Sequence, residues 1–311
     1  MQQAMQAAQL HPLPGQRWHF QHGPIDVIVG ADGEPAALQA AHKTAWARFQ
    51  TVLAELVAEL PLLRQPVAGS NPLRGVIARQ MWAACAPLVD AADGFITPMA
   101  AVAGAVAQAV VSAYQRPGIQ RCWVNNGGDI ALHLGPGSQV QVGLVVDLAC
   151  FDGAALAQSA AGLLRSDAAF AVLACSPVRG VATSGWRGRS LSRGIADSVT
   201  VLARSAAEAD AAATVIANAV DLPSQAACAA AGIVRQPASV VRDDSDLGEI
   251  AVTVDVPTLP AAVVQQALQR GLACAQRLQA AGLLHAAVLA CQGQLCRLQP
   301  LQTARFGQLV Q

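Results

Sequence analysis

Apolar positions recur every three or four residues from Glu34 to about Leu60, the spacing that lines one face of an α-helix. The same period predicts helices over roughly 74–90, 97–115, 206–220 and 259–282. The 97–115 helix opens with Thr97-Pro98, a capping hydroxyl followed by a first-turn proline. Elsewhere the period drops to two, or short apolar runs sit between turn residues, and strands are predicted. R-W-H-F-Q-H, a Gly-Pro turn and I-D-V-I-V make a hairpin within 15–30. Further strands are expected at 121–124, 129–134, 139–146, 170–175, 198–203, 249–255, 284–291 and 294–299. The proline-rich stretch 61–73 reads as irregular.

Strands arrive in groups between helices, so the expected class is α+β, with mixed or antiparallel sheets packed against long helices. No linker separates two domains clearly. The chain is expected to form one domain over 1–311, with a two-lobed organisation open and residues 1–14 loose.

Composition narrows the function classes. Hydrophobic residues make up 53% and charged residues 13%, which excludes a disordered chain. Net charge is zero, Lys43 is the only lysine, and no basic run exists, so a nucleic-acid surface is not expected. The longest apolar run, 99–114, contains Gln108 and is short for a membrane span. The N-terminal M-Q-Q-A-M-Q-A-A-Q-L-H-P lacks a charged start followed by an apolar core, so a cytoplasmic location is expected. The eight cysteines form no C-x-x-C pair and lie mostly in apolar surroundings, where a thiol packs as a small hydrophobe. So apolar a composition is compatible with a homodimer.

Two blocks concentrate glycine, amides, hydroxyls and carboxylates. The first is Asn125, Asn126, Gly127, Gly128 and Asp129. Asn and Gly tolerate positive φ, so this turn can bare its amides to an anion, or it can be an ordinary hairpin turn. The second runs from Val181 to Thr214 and contains Thr183, Ser184 and Gly185, then Arg187, Arg189 and Arg193 beside Ser190 and Ser192. Hydroxyls and guanidiniums at this density can grip phosphate or carboxylate, or form a solvated loop. Asp210 and Thr214 lie four apart in E-A-D-A-A-A-T and share a helix face. Their oxygens are hard ligands suited to Mg²⁺, or a polar helix surface.

The order N-x-G-G-D, T-S-G, then D-S-V-T-V-x-A-x-S-A-A-x-A-D-A-x-A-T resembles the ApbE family, the FAD:protein FMN transferases. A-T-S-G-x-x-G-x-S-L-S-x-G-x-A-D and the helix M-A-A-V-A-G-A-V-A at 99–107 are most similar to its short, uncharacterised cytoplasmic subfamily. The resemblance implies an ApbE-like fold and a small-molecule cofactor, FAD or FMN. It also implies Mg²⁺ at Asp210 and Thr214, and cofactor contacts from Asn126–Asp129 and Thr183–Gly185. In the transferases an H-I-I-D-P-x-T-G block lies between T-S-G and the V-T-V strand. Here eleven residues separate Gly185 from Asp197, and none is histidine.

Three functions follow as expectations. The first is a flavin or related phosphate-bearing cofactor bound with Mg²⁺, the reaction being open. The second is a non-catalytic binding or assembly protein on the same scaffold. The third is true FMN transfer, with Asp197 or Asp210 as base and a protein acceptor as partner.

Overall fold

The computed structural model describes residues 7–144, 168–188 and 190–300. They fall into two compact units. The first takes the chain up to 140 together with 173–182 and 201–212, and the second takes 141–172, 183–200 and the chain from 213 onward.

In the first unit an antiparallel meander runs through β1 (Gln9–Leu13), β2 (Arg17–His22), β3 (Ile25–Gly33), β4 (Ile119–Asn126) and β5 (Asp129–Leu134). β1 lies in the stretch expected to be loose, and its ladder from Gln9↔Gln21 to Leu13↔Arg17 ties it to β2. Alternation works as expected in β3, where Ile25, Val27 and Val29 are buried. β6 (Gln139–Leu144) and β7 (Ala168–Leu173) form a separate two-stranded ribbon. β8 (Gly180–Ser184) then pairs antiparallel with β5 through Ile130↔Val181 and Ala131↔Gly180, and β9 (Ser198–Ala203) follows it in strand order. The T-S-G segment therefore ends a strand.

Helix α1 (Pro35–Ala58) buries Ala41, Ala45, Phe49, Val52, Leu53 and Leu56, the stripe that its period forecast. Phe20 of β2 meets Trp46 and Phe49 of that helix at ring-centroid distances of 5.3 and 5.4 Å. The helix expected at 74–90 stops earlier. α2 covers Val76–Cys85 and gives way to short 3-10 turns, because Pro87 has no N–H and its ring clashes with the preceding turn.

The helix expected at 97–115 is also divided, into a 3-10 turn at Pro98–Ala101, α3 at Val102–Val111 and a 3-10 turn at Ser112–Tyr114. In an unbroken helix the Gly104 amide would return to the carbonyl four residues earlier. It donates instead to Asp210 Oδ2 at 2.9 Å, so α3 begins afresh there. Helix α4 (Ala206–Ala219) starts against it, and a Cβ at Gly104 would lie 2.2 Å from the Ala206 carbonyl oxygen.

In the second unit β9 is followed in strand order by β12 (Ala286–Cys291) and β13 (Gln294–Leu298), with β10 (Val234–Pro237) and β11 (Ala251–Asp255) as a separate pair. Helix α5 (Ala261–Ala280) buries Val264, Leu268, Gly271, Cys274, Ala275 and Leu278. Five cysteines, at 85, 122, 228, 274 and 291, are buried, as their apolar contexts implied. Cys175 is exposed, Cys296 is half-buried, and Cys150 lies outside the described residues. Among the described residues no helix is long and apolar enough to cross a membrane.

The α3–α4 approach makes a test. Gly104→Ala would gain about 1 kcal/mol of helix propensity. The new methyl, 2.2 Å from a backbone oxygen, would cost more, since overpacking of this kind runs about 1–3 kcal/mol even against side chains that can yield. The expected outcome is a lower thermal midpoint in calorimetry. An unchanged or raised midpoint would show that the two helices do not approach so closely.

Candidate functional site

The first unit holds six of the expected residues, Asn125 to Asp129 and Asp210. N-N-G-G closes the β4–β5 hairpin, with Asn126 opposite Asp129 and a two-residue loop between them. Gly127 and Gly128 have φ of 66° and 112°, conformations that L side chains avoid, while both have open space where a Cβ would stand. Backbone conformation, rather than crowding, requires glycine here. The Gly128 amide does not face outward for an anion, because it donates to Asn125 Oδ1 at 2.8 Å. The side chains flanking the loop turn inward. Asn126 donates through Nδ2 to the Ala103 carbonyl at 3.1 Å, and Asp129 is 8% exposed.

Asp210, from α4, completes the group. Its Oδ2 accepts the Gly104 amide, so one helix supplies from the side the cap that α3 lacks at its own N-cap, Ala101. Burial, and after it the neighbouring Asp129 carboxylate, push the Asp210 carboxyl well above the usual carboxylate range. The amides of Gly104 and Ala103 oppose that shift without cancelling it. Two carboxylates thus share a partly dehydrated place beside the positive end of a helix. A carboxylate has about four acceptor positions, and the bond to Gly104 leaves Asp210 further capacity. Thr214, half-buried, follows four residues later on the same helix and is counted with the second unit.

The remaining candidates lie in the second unit. Thr183 is exposed at the end of β8, with its hydroxyl 2.8 Å from that of Thr200, a buried residue of β9. Ser184 is half-buried. Gly185 is required sterically, since a Cβ there would stand 2.2 Å from the Asp197 carbonyl oxygen. Ser190 is exposed, and Arg189 lies outside the described residues.

Two of the expected residues have internal partners. Ser192, expected in a ligand loop, is 2% exposed. Its hydroxyl donates to Asn218 Oδ1 and accepts the Gly194 amide, both at 3.2 Å, so it holds the chain internally. Asp197, expected as a base, is 8% exposed and already surrounded by donors. Its carboxylate accepts from the Gln292 amide and from Trp186 Nε1 at 3.3 Å, and pairs with Arg187 Nε at 3.5 Å. Such a carboxylate anchors the 186–187 loop to the β12–β13 turn. Sequence reasoning missed Thr200 and Gln292, because a threonine in V-T-V and a glutamine in a turn carry no motif of their own. Among the described residues no three histidine, cysteine or acidic side chains gather as a metal-binding group.

Comparison with known proteins places these features. The family model described as AbpE bacteria matches residues 8–297. The UPF0280 proteins of Methanospirillum hungatei and Methanothermobacter thermautotrophicus are each 38% identical, over 131 and 129 residues, or 42% and 41% of this chain. Those stretches are 48% and 44% of the relatives' own lengths, so the chain spans about half of the proteins it matches. Among solved structures, the apo flavinyl transferase ApbE of Pseudomonas stutzeri has 13% identity and a TM-score of 0.45, covering 94% of this chain and 95% of that one. The ApbE protein of Thermotoga maritima has 11% identity and a TM-score of 0.48, covering 93% and 96%. The match from residue 8 to residue 297 shows that the chain, an α+β protein, belongs to the AbpE bacteria family.

Proposed function

We propose that the protein binds a flavin nucleotide, FAD or FMN, or a related phosphate-bearing cofactor, with Mg²⁺ held at Asp210 and Thr214. The observation that carries this reading is the Asp210 carboxylate, held beside Asp129 with acceptor capacity to spare. A charge in that place is costly unless a cation or proton meets it. The donor set fits Mg²⁺, which favours oxygen ligands and keeps waters and phosphate oxygens in its shell. With few acidic groups nearby, the remaining ligands would come from the Thr214 hydroxyl, water and the cofactor's phosphates. Mg²⁺ would supply charge neutralisation to a phosphate. The chain's own part is to hold Asp210 in place through the Gly104 amide.

Binding without group transfer is the reading favoured within this proposal. Eleven residues stand between Gly185 and Asp197 where the transferases carry a histidine-containing block. Asp197 takes donors from the 186–187 loop and the β12–β13 turn.

Titration of the protein with FAD and FMN, followed by flavin fluorescence with and without Mg²⁺, tests the proposal. Affinity is expected to rise with Mg²⁺, and Asp210→Asn is expected to remove about tenfold or more of that gain, the scale of losing one charged contact of ~1.4 kcal/mol. Absence of flavin binding, or a Mg²⁺ effect untouched by Asp210→Asn, would sink it.

Stability offers an independent check. Asp210 has a folded pKa above its unfolded value, so the folded state holds its proton more tightly, and this contribution to stability is lost as pH rises above about 4. Asparagine keeps an oxygen for the Gly104 amide without carrying the charge. In EDTA, Asp210→Asn is therefore expected to be more stable than wild type near pH 7.5, with the gap closing near pH 4. A variant less stable than wild type at pH 7.5 in urea unfolding would contradict this account.

A further inference from the structure

Within the second unit, the 186–187 loop, the segment leading into α5 and the β12–β13 turn enclose a cavity of about 300 Å³. This is the lower end of the size range of small-molecule sites, ~300–1,000 Å³. None of Asp129, Asp210, Thr214, Thr183 and Ser184 lines it.

Most of its polar groups are already committed. Asp197 accepts from Trp186 and Gln292 and pairs with Arg187. Gln292 accepts the Leu259 amide through Oε1 at 2.9 Å and donates through Nε2 to the Pro257 carbonyl at 2.7 Å. Gln294 donates to the Ala261 carbonyl at 2.9 Å. The residues left to meet a guest are Arg187, whose charge Asp197 partly offsets, and Thr258, both lining the cavity. Val256, Leu259 and Val264, each nearly fully buried, supply an apolar wall.

Two features show that this cavity is built rather than incidental. Arg187 is held in place, with its guanidinium carbon 4.6 Å from the centre of the Trp186 ring and its Nε beside Asp197. A guanidinium fixed on both sides loses little freedom when it forms further bonds. Gln292 adopts φ of 43°, in the left-handed region that glycine or asparagine takes at least cost. The side chain standing in that strained position is the one that ties the β12–β13 turn to the 257–259 segment and so closes the cavity wall. That φ, with Gly293 at 78°, is the one a two-residue hairpin loop between the paired Cys291 and Gln294 requires.

We propose that this cavity binds a small organic anion, a carboxylate or a phosphate ester carrying a short apolar group. Arg187 and Thr258 hold the anionic end, and Val256, Leu259 and Val264 receive the apolar end. The opening amides of α5, at Ala261 on the cavity wall, add the positive end of a 20-residue helix to the same side. The site does not depend on flavin or Mg²⁺ binding.

Isothermal titration of the full chain with isovalerate and, separately, with inorganic phosphate tests the assignment. Saturable binding of isovalerate is expected, with phosphate weaker because it lacks an apolar group. Phosphate binding the tighter of the two would assign the site to phosphate esters. Arg187→Gln is expected to weaken binding at least tenfold, and Thr258→Val, nearly isosteric and exposed, several-fold. Asp210→Asn should leave these titrations unchanged, which separates this site from the flavin proposal. No saturable binding of either anion, or titrations of both cavity variants that superimpose on wild type, would overturn it.

Discussion

The arrangement of the first unit depends on how closely α3 and α4 meet. Glycine at 104 lets the start of α3 come against the Ala206 carbonyl, where any side chain would collide. That approach brings the Gly104 amide to Asp210, and the bond between them determines where α3 begins. It also places a carboxylate at the positive end of a helix, in a position short of water. Helix boundary, packing distance and carboxylate chemistry thus follow from one contact. The alanines of α4 serve the same end, since bulkier residues would hold the elements apart.

The hairpin that faces this contact does two jobs with one short sequence. Gly127 and Gly128 reverse the chain through positive φ, and Asn125 occupies the one loop amide whose partner is known. The turn is therefore an ordinary hairpin by its backbone. Its chemical interest lies in the residues on either side, because Asn126 and Asp129 are paired across the strand ends and directed into the unit. The two readings of N-N-G-G-D in the sequence were not exclusive. They belong to different atoms.

In the second unit a buried carboxylate has the organising part. Asp197 joins the 186–187 loop to the β12–β13 turn by taking donors from both. A buried charge is tolerable when its lone pairs are satisfied in this way. Ser192 was also turned inward, toward Asn218, and its neighbours in the sequence give no sign of that. Loop composition reports which groups are present, and their direction depends on partners distant in the chain.

The sequence by itself determined the α+β class, the long helices α1, α4 and α5 and most of the strands, because periodicity records which face of an element is buried. It also located the glycine turn, the buried thiols and the Asp210–Thr214 helix face. Tertiary structure alone decided where α3 starts, since the competing acceptor for the Gly104 amide lies 106 residues away. It decided that Asp197 and Ser192 serve as internal anchors and that Asp129 stands beside Asp210. These outcomes turn on the direction and partners of single polar groups. Hydrophobic patterning carries the average environment of a segment, whereas a hydrogen bond between distant residues leaves no period in the chain.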